Sequence, residues 1–251
     1  MRIASLVLAT VVALSALPFA ASLSDSAAGE RDQDLFIRPS EQRSVLFASV
    51  DMGRSVFAAA GAKQTLVGPL DQSGFVVMEA NGTGLTRERV GDLGLQATRF
   101  TTQSAVMLGY QMNRDGFFVA GFLGPEIEHE QLTVDGRVGR VADPRFGARA
   151  QIELWANPTR DTMITGTIVG SSAHQSLWAR GSAGYRVLDG LYAGPEVVSY
   201  VTGSYRETKV GAHLTGLRAG IVEGRLSAGW AMANDGRTGS AYVGLAAWIR
   251  M

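Results

Sequence analysis

Two residues, His213 and Ser227, have the types of a general base and a nucleophile and a spacing that could bring them together. They lie on the same face of two successive stretches that alternate apolar and polar residues, and a tight turn at 219–220 would place them on adjacent strands. A serine beside a histidine is the beginning of a nucleophile–base couple. Such a couple would make the protein an outer-membrane hydrolase or an acyl-modifying enzyme.

The neighbouring residues argue against this couple. A working couple needs an acid that orients the histidine, and Glu223 lies four residues from Ser227, about 13 Å along a strand. Arg225 is closer, but a cation disfavours the imidazolium that a general base must form. We therefore interpret His213 and Ser227 as members of a structural polar network, and we expect no catalysis.

The composition excludes several other kinds of chemistry. The 251 residues include no cysteine, so the chain has no disulfide, no thiolate metal ligand and no cysteine nucleophile. The three histidines lie far apart, and the sequence contains no P-loop, HExxH or GxSxG motif. The 23 basic and 23 acidic residues balance, which argues against nucleic acid as a partner. We expect no metal site and no cofactor.

The candidate residues belong to stretches in which apolar and polar residues alternate with a period of two, which indicates β-strands. Val210, Ala212 and Leu214 share one face, whereas Lys209 and His213 share the other. The polar faces carry full charges at mid-strand, and the stretches follow one another with no helical pattern between them. We predict twelve strands, at 44–52, 55–66, 73–83, 96–111, 115–128, 145–156, 161–172, 176–188, 191–201, 205–218, 221–233 and 238–250.

These strands predict an all-β protein, a closed up-and-down antiparallel transmembrane β-barrel of about 12 strands. Strands of roughly this length suit a tilted crossing of the bilayer, and an even number places both termini on one side. The two longest connections, 84–95 and 129–144, both fall on the other side, where such barrels carry their external loops. A soluble periplasmic β-barrel that binds a ligand would show similar alternation and is the alternative.

The N-terminal residues are typical of an export signal. Arg2 precedes an apolar run over residues 3–17, and Ala20-Ala21-Ser22 offers a cleavage site of small residues. We divide the chain into a signal peptide at 1–22, a mobile N-terminal segment at 23–43 and an outer-membrane β-barrel at 44–251. Export and the barrel pattern together predict a location in the outer membrane, in contact with lipid.

The polar faces supply the candidate site, a network of side chains that line the lumen of the barrel. Glu126 and Glu196 each follow a Gly-Pro pair, which marks a bend or bulge in a strand, and we expect both carboxylates to pair with lumen arginines. A salt-bridged plug is favoured over a channel, because a barrel of this size has a modest interior. The candidate lumen-facing residues are Glu126, Arg149, Glu153, Arg180, Arg186, Glu196, Lys209, His213, Glu223, Arg225 and Ser227.

Short glycine-rich motifs run through the second half of the chain. They include Gly194-Pro195-Glu196-Val197, the run from Lys209 to Arg218, and Leu226-Ser227-Ala228-Gly229-Trp230. With weaker matches upstream, they resemble the cellulose biosynthesis protein BcsS family over roughly residues 45–250. The resemblance implies an accessory protein of cellulose or exopolysaccharide biosynthesis, and so of biofilm formation, that supports export or surface organisation. It implies cellulose or the cellulose-secretion machinery as partners and transfers no catalytic residue.

Overall fold

The computed structural model describes residues 42–90, 95–134, 137–236 and 238–251. The predicted signal peptide at 1–22 lies outside the described residues, as does the predicted mobile segment at 23–43 apart from its last two residues. In the part of the chain that the structure describes, the regular secondary structure is β-strand, and no helix there is suited to cross a membrane.

Within these described ranges, thirteen strands form one antiparallel sheet. Their bounds are β1 Ser44–Met52, β2 Ser55–Thr65, β3 Gly74–Val90, β4 Leu95–Arg114, β5 Phe117–Val134, β6 Arg137–Val141, β7 Arg145–Thr159, β8 Thr162–Ser171, β9 Ser176–Leu188, β10 Leu191–Thr202, β11 Tyr205–Ala219, β12 Val222–Ala233 and β13 Ser240–Arg250. Each of the twelve predicted strands matches one of these, and β6 is the addition.

The sheet closes on itself into a barrel whose wall has twelve strands. β1 pairs with both β2 and β13, so the first and last strands are neighbours, and β4 pairs with β5. β6 pairs with the part of β5 that extends beyond β7, and it therefore lengthens the wall without widening it. The predicted closed up-and-down barrel of about 12 strands is confirmed.

The two long connections were predicted wrongly, because most of their residues are strand. In place of a loop at 84–95, β3 continues to Val90 and β4 begins at Leu95. In place of a loop at 129–144, β5 continues to Val134 and β6 follows it. A strand that has left the bilayer can carry polar residues on both faces, so the sequence there lacks the alternation that marks a membrane strand.

The two extended hairpins, β3–β4 and β5–β6, identify the external end of the barrel. They rise at the end opposite to Val45 and Arg250, which pair with each other near the two termini of the barrel. Outer-membrane barrels combine short periplasmic turns with longer external segments. An ion pair of 2.5 Å between Arg99 of β4 and Glu130 of β5 ties the hairpins together.

The outer surface of the barrel is a belt of exposed apolar side chains. Val210, Trp230 and Leu245, on three successive strands, are 48%, 52% and 51% exposed. Phe75 and Tyr110 lie near the periplasmic ends of β3 and β4, with ring centroids 5.3 Å apart, where an aromatic girdle is expected. An apolar surface of this extent is stable when lipid covers it, so the belt indicates a membrane-spanning barrel rather than a soluble one.

The interior has an apolar half and a polar half. Val76 and Met78 of β3 pack with Phe122 of β5, and all three are 4% exposed or less. Polar side chains fill the half that is lined by β7 to β13. The outer surface of β3 is not wholly apolar. Its Glu79 faces outward and accepts a hydrogen bond of 3.0 Å from the Asn81 side chain.

The Gly-Pro-Glu motif of β10 interrupts the strand ladder without inserting a residue. Pairing with β9 is missing at Gly194 and Pro195, and it resumes in the same register at Glu196. A Cβ atom at Gly194 would lie 2.0 Å from the carbonyl oxygen of Ala183, so glycine is required for this close approach. Of the expected bend or bulge, the bulge is not found at the motif itself; register shifts occur at Leu191/Tyr192 in the same strand and near Gly216, where φ is 97°.

One substitution on each face of β11 tests the assignment of faces. Ala212→Arg places a charge among lipid chains and should cost about 2–4 kcal/mol of folding free energy. Lys209→Gln changes a lumen-facing residue whose ammonium group lies 3.5 Å from Glu207, and it should cost much less. The amount of assembled, heat-modifiable protein in outer-membrane preparations measures both effects. Equal losses for the two variants would show that the faces are assigned wrongly.

Candidate functional site: a charged network inside the barrel

Glu196 lies at the centre of a group of polar side chains in the polar half of the lumen. Its carboxylate is buried and pairs with the guanidinium of Arg225. The hydroxyl groups of Ser227 and Tyr242 donate to it at 3.2 and 3.3 Å, and Arg180 Nε lies at 3.8 Å. These five residues, the Glu196 cluster, come from four strands, so the position of each depends on the closed wall.

The Glu196 cluster reaches across the lumen. Arg180 of β9 donates to both carboxylate oxygens of Asp51 on β1 at 3.3 Å, although four strands separate β9 from β1 in the wall. Arg225 of β12 donates to the hydroxyl of Thr165 on β8 at 3.3 Å. The gap enclosed by Asp51, Arg180, Arg225 and Ser227 has no room for a water molecule. These contacts close this part of the lumen.

A second ion pair crosses the lumen beside the apolar half. Lys63 of β2 pairs with Glu153 of β7, and the Gln151 amide donates to the same carboxylate at 2.7 Å. The Lys63 ammonium also lies 5.8 Å from the ring centroid of Phe47 and 5.5 Å from that of Phe122, so cation–π contacts stabilise it. Three strands separate β2 from β7 along the shorter path around the wall. The lumen is therefore bridged at a second place.

A third group lies toward the external end. Glu126 accepts hydrogen bonds from Arg149 at 3.2 Å and from the Ser171 hydroxyl at 2.5 Å. His174 Nδ1 lies 2.8 Å from the carboxylate of Glu128, which is the arrangement of a base oriented by an acid. The Ser171 hydroxyl, however, donates to Glu126 and accepts from the backbone N–H of His174 at 3.2 Å. Because its proton is directed to Glu126, Ser171 is not presented to His174 as a nucleophile.

Two of the predicted residues lie near the periplasmic end. Arg186, near the end of β9, pairs at 2.5 Å with Asp161 in the short turn between β7 and β8. Glu223 accepts a hydrogen bond of 2.9 Å from Trp248 Nε1 on β13. These contacts join neighbouring strands, so they stabilise the rim of the wall and do not cross the lumen.

A small group around Glu207 lies near the external end of β11. Lys209 lies 3.5 Å from its carboxylate, and the Tyr205 hydroxyl donates to it at 3.0 Å. The Tyr205 hydroxyl and the Lys209 ammonium group thus both serve the Glu207 carboxylate, which is 7% exposed.

The structure places all the candidate residues on lumen-facing positions, but in separate groups. It brings together Arg180, Glu196, Arg225 and Ser227, and it joins Glu126 to Arg149. The other five candidates contact residues outside these two groups: Glu153, Arg186, Lys209, His213 and Glu223. The sequence reasoning missed Asp51, Lys63, Tyr242, Thr165 and His174. All of these except His174 stand at inward positions of strands, so alternation could have found them, whereas His174 lies in a turn that no pattern marks.

His213 and Ser227 lie opposite each other in the register of β11 and β12, as the spacing predicts. Their side chains nevertheless have different partners. His213 Nδ1 lies 2.8 Å from Thr215 Oγ1 and Nε2 lies 3.2 Å from the carbonyl oxygen of Ala183, while Ser227 donates to Glu196. A histidine with both nitrogens engaged is not a free base for that serine. In the described ranges, no three His, Asp or Glu residues are grouped so as to hold a metal ion.

A closed antiparallel barrel with an apolar belt outside and paired charges inside defines an outer-membrane type of β-barrel protein. Similar solved structures include the KdgM porin, at 8% identity, covering 82% of this chain and 99% of that chain with a TM-score of 0.44. The translocator domain of the autotransporter NalP from Neisseria meningitidis is 11% identical, with coverages of 84% and 88% and a TM-score of 0.44. The Acinetobacter baumannii outer membrane protein Omp33 is 14% identical, with coverages of 85% and 100% and a TM-score of 0.38.

The chain belongs to the cellulose biosynthesis protein BcsS family, whose model matches residues 45–251. The match begins at the second residue of β1 and includes every strand of the wall. None of the curated proteins matches the chain. The membership confirms the resemblance seen in the glycine-rich motifs and connects the barrel with cellulose biosynthesis.

Removing the Glu196 carboxylate would leave Arg180 and Arg225 without the charge they share. Glu196→Ala should therefore lower the free energy of unfolding by about 3–5 kcal/mol, as expected for a broken buried ion pair. Glu223→Gln is the matched control, because that side chain is 27% exposed and lies 3.7 Å from Arg250. Its substitution should cost about 1 kcal/mol or less.

Urea titration of both variants, refolded into lipid vesicles, measures the two free energies. A Glu196→Ala barrel as stable as the Glu223→Gln barrel would mean that the Glu196 cluster is not a buried, paired network.

Proposed function

We propose that this protein is an outer-membrane accessory protein of cellulose or exopolysaccharide biosynthesis, which supports export or surface organisation without conducting the polymer and without catalysis. Membership of the family supports the connection with cellulose. The observation that carries the rest is the contact of Arg180 with Asp51 and Glu196, which links opposite sides of the wall through the lumen.

A polysaccharide conduit needs a continuous aqueous channel, and the lumen side chains argue against one. The Arg180–Asp51 and Lys63–Glu153 pairs bridge the lumen at two places. A wall of twelve strands encloses little more than its own side chains. Opening the lumen would strip buried charges of their partners, which costs several kcal/mol for each pair. These points favour a plugged, rigid barrel over a pore.

The external hairpins offer the surface on which such a barrel would act. β3–β4 and β5–β6 extend past the belt, and Glu130 contacts both Arg99 at 2.5 Å and Arg145 at 3.6 Å there. A plugged barrel surrounded by lipid would hold these charged hairpins at a fixed height above the membrane. Cellulose or the cellulose-secretion machinery would then meet the protein at the hairpins.

One variant separates this role from an enzyme that uses His213 and Ser227. Ser227→Ala removes one of the hydrogen bonds to Glu196, which should cost about 1 kcal/mol of stability and leave cellulose output unchanged. Ser227→Trp should disturb assembly, because the residue is 3% exposed inside a filled lumen.

Both variants are tested in a deletion strain, with surface cellulose measured by dye binding and assembly by heat-modifiability. We expect the deletion to reduce surface cellulose and Ser227→Ala to restore it. An assembled Ser227→Ala barrel that fails to restore it would favour the enzyme. A deletion without effect on cellulose would refute the accessory role.

A further inference from the structure

The outer surface of the wall has a groove near its external end. The groove has a volume of about 460 Å³, within the range of small-molecule sites. It lies among outward-facing residues of β5, β7, β8, β9 and β10. Its apolar lining consists of Leu123, Ala148, Ala150, Gly170, Leu177 and Val201.

The groove exists because small residues stand between large ones on the lipid-facing side. Gly170 of β8 pairs with Ala150 on one neighbouring strand and with Leu177 on the other. A Cβ atom at Gly170 would approach only Leu177, at 4.0 Å, so the space above the glycine is open. Leu177 is 50% exposed and Leu123 is 63% exposed, and they form aliphatic walls on either side of this floor.

The external edge of the groove is polar. The turn at 172–175 leans over β7, because the backbone N–H of Ser172 donates to the carbonyl of Ala148 at 3.0 Å and the Ser172 hydroxyl accepts from the Ala148 N–H at 2.7 Å. Gln175 and Ser176 line the same edge. The groove is therefore amphipathic along its length, with an aliphatic part toward the membrane and hydroxyl and amide groups at the external end.

We propose that this groove binds one acyl chain of an outer-leaflet lipid, whose polar part lies against Ser172, Gln175 and Ser176. The groove opens on the apolar belt, on the external side, so an outer-leaflet lipid is the molecule that the bilayer presents to it. The aliphatic walls suit a methylene chain, and the rim can donate hydrogen bonds to ester or headgroup oxygens. The bound lipid would brace the turn that positions Ser171 and His174 in the external polar group.

Leucine substitutions at two outward-facing glycines test this site. Gly170→Leu fills the groove floor, whereas Gly181→Leu adds the same bulk to β9 at a point where a Cβ atom meets nothing within 4 Å. Neither glycine has a positive φ, so leucine fits the backbone at both positions. Ala150→Leu fills the groove from β7 and serves as the second test variant.

The full-length mature barrels are stripped of lipid in detergent and titrated with dimyristoyl phosphatidylglycerol in mixed micelles, and retained lipid is counted by native mass spectrometry. We expect the unchanged protein and Gly181→Leu to retain one lipid molecule. Gly170→Leu and Ala150→Leu should retain it at least tenfold more weakly, and either variant suffices if the other fails to assemble.

Three outcomes would overturn the proposal. Equal retention by all four proteins would mean that lipid surrounds the wall without a specific site. Equal loss in Gly181→Leu would mean that any added bulk on the lipid face has this effect. If the unchanged protein retained no lipid at saturating phospholipid, the groove would not be a lipid-binding site.

Discussion

A charge inside this barrel must have a partner inside the barrel, because lipid surrounds the wall and side chains fill the lumen. Glu126, Glu128 and Glu196 are each 3% exposed or less, and each lies within reach of a cation. Burying such a carboxylate without a partner would destabilise the folded barrel by several kcal/mol. The register of the strands is therefore constrained by which inward side chains must meet.

This constraint links closure of the wall to closure of the lumen. Arg180 reaches Asp51 only when β1 pairs with β13, since the two residues are 129 positions apart in sequence. Glycines make the close approaches possible: a Cβ atom at Gly211 would lie 2.2 Å from the carbonyl oxygen of Ala228 on β12. The same residues that shape the wall thus bring the charges into contact, which is why the proposed role relies on a rigid barrel.

Much of the fold was predictable because the side-chain period of a strand is two and lipid selects one face. Strand number, closure and the facing of residues such as Ala212 and His213 follow from this rule. Contacts across the lumen did not follow, because the partner of Lys63 depends on strand stagger and on the diameter of the closed wall. The extension of β3 and the turn at His174 were also missed. Neither lies in the part of the wall that separates lipid from the lumen, so neither shows the alternation of apolar and polar residues.

The central claim is that paired side chains close the lumen, and electrical conductance tests it most directly. The purified barrel is inserted into planar lipid bilayers in neutral salt solution, and current is recorded under a steady voltage. The account predicts no stable conductance steps from the unchanged protein, and steps from a barrel in which both Asp51 and Glu153 are replaced by alanine. Stable, open-channel steps from the unchanged barrel would contradict the account.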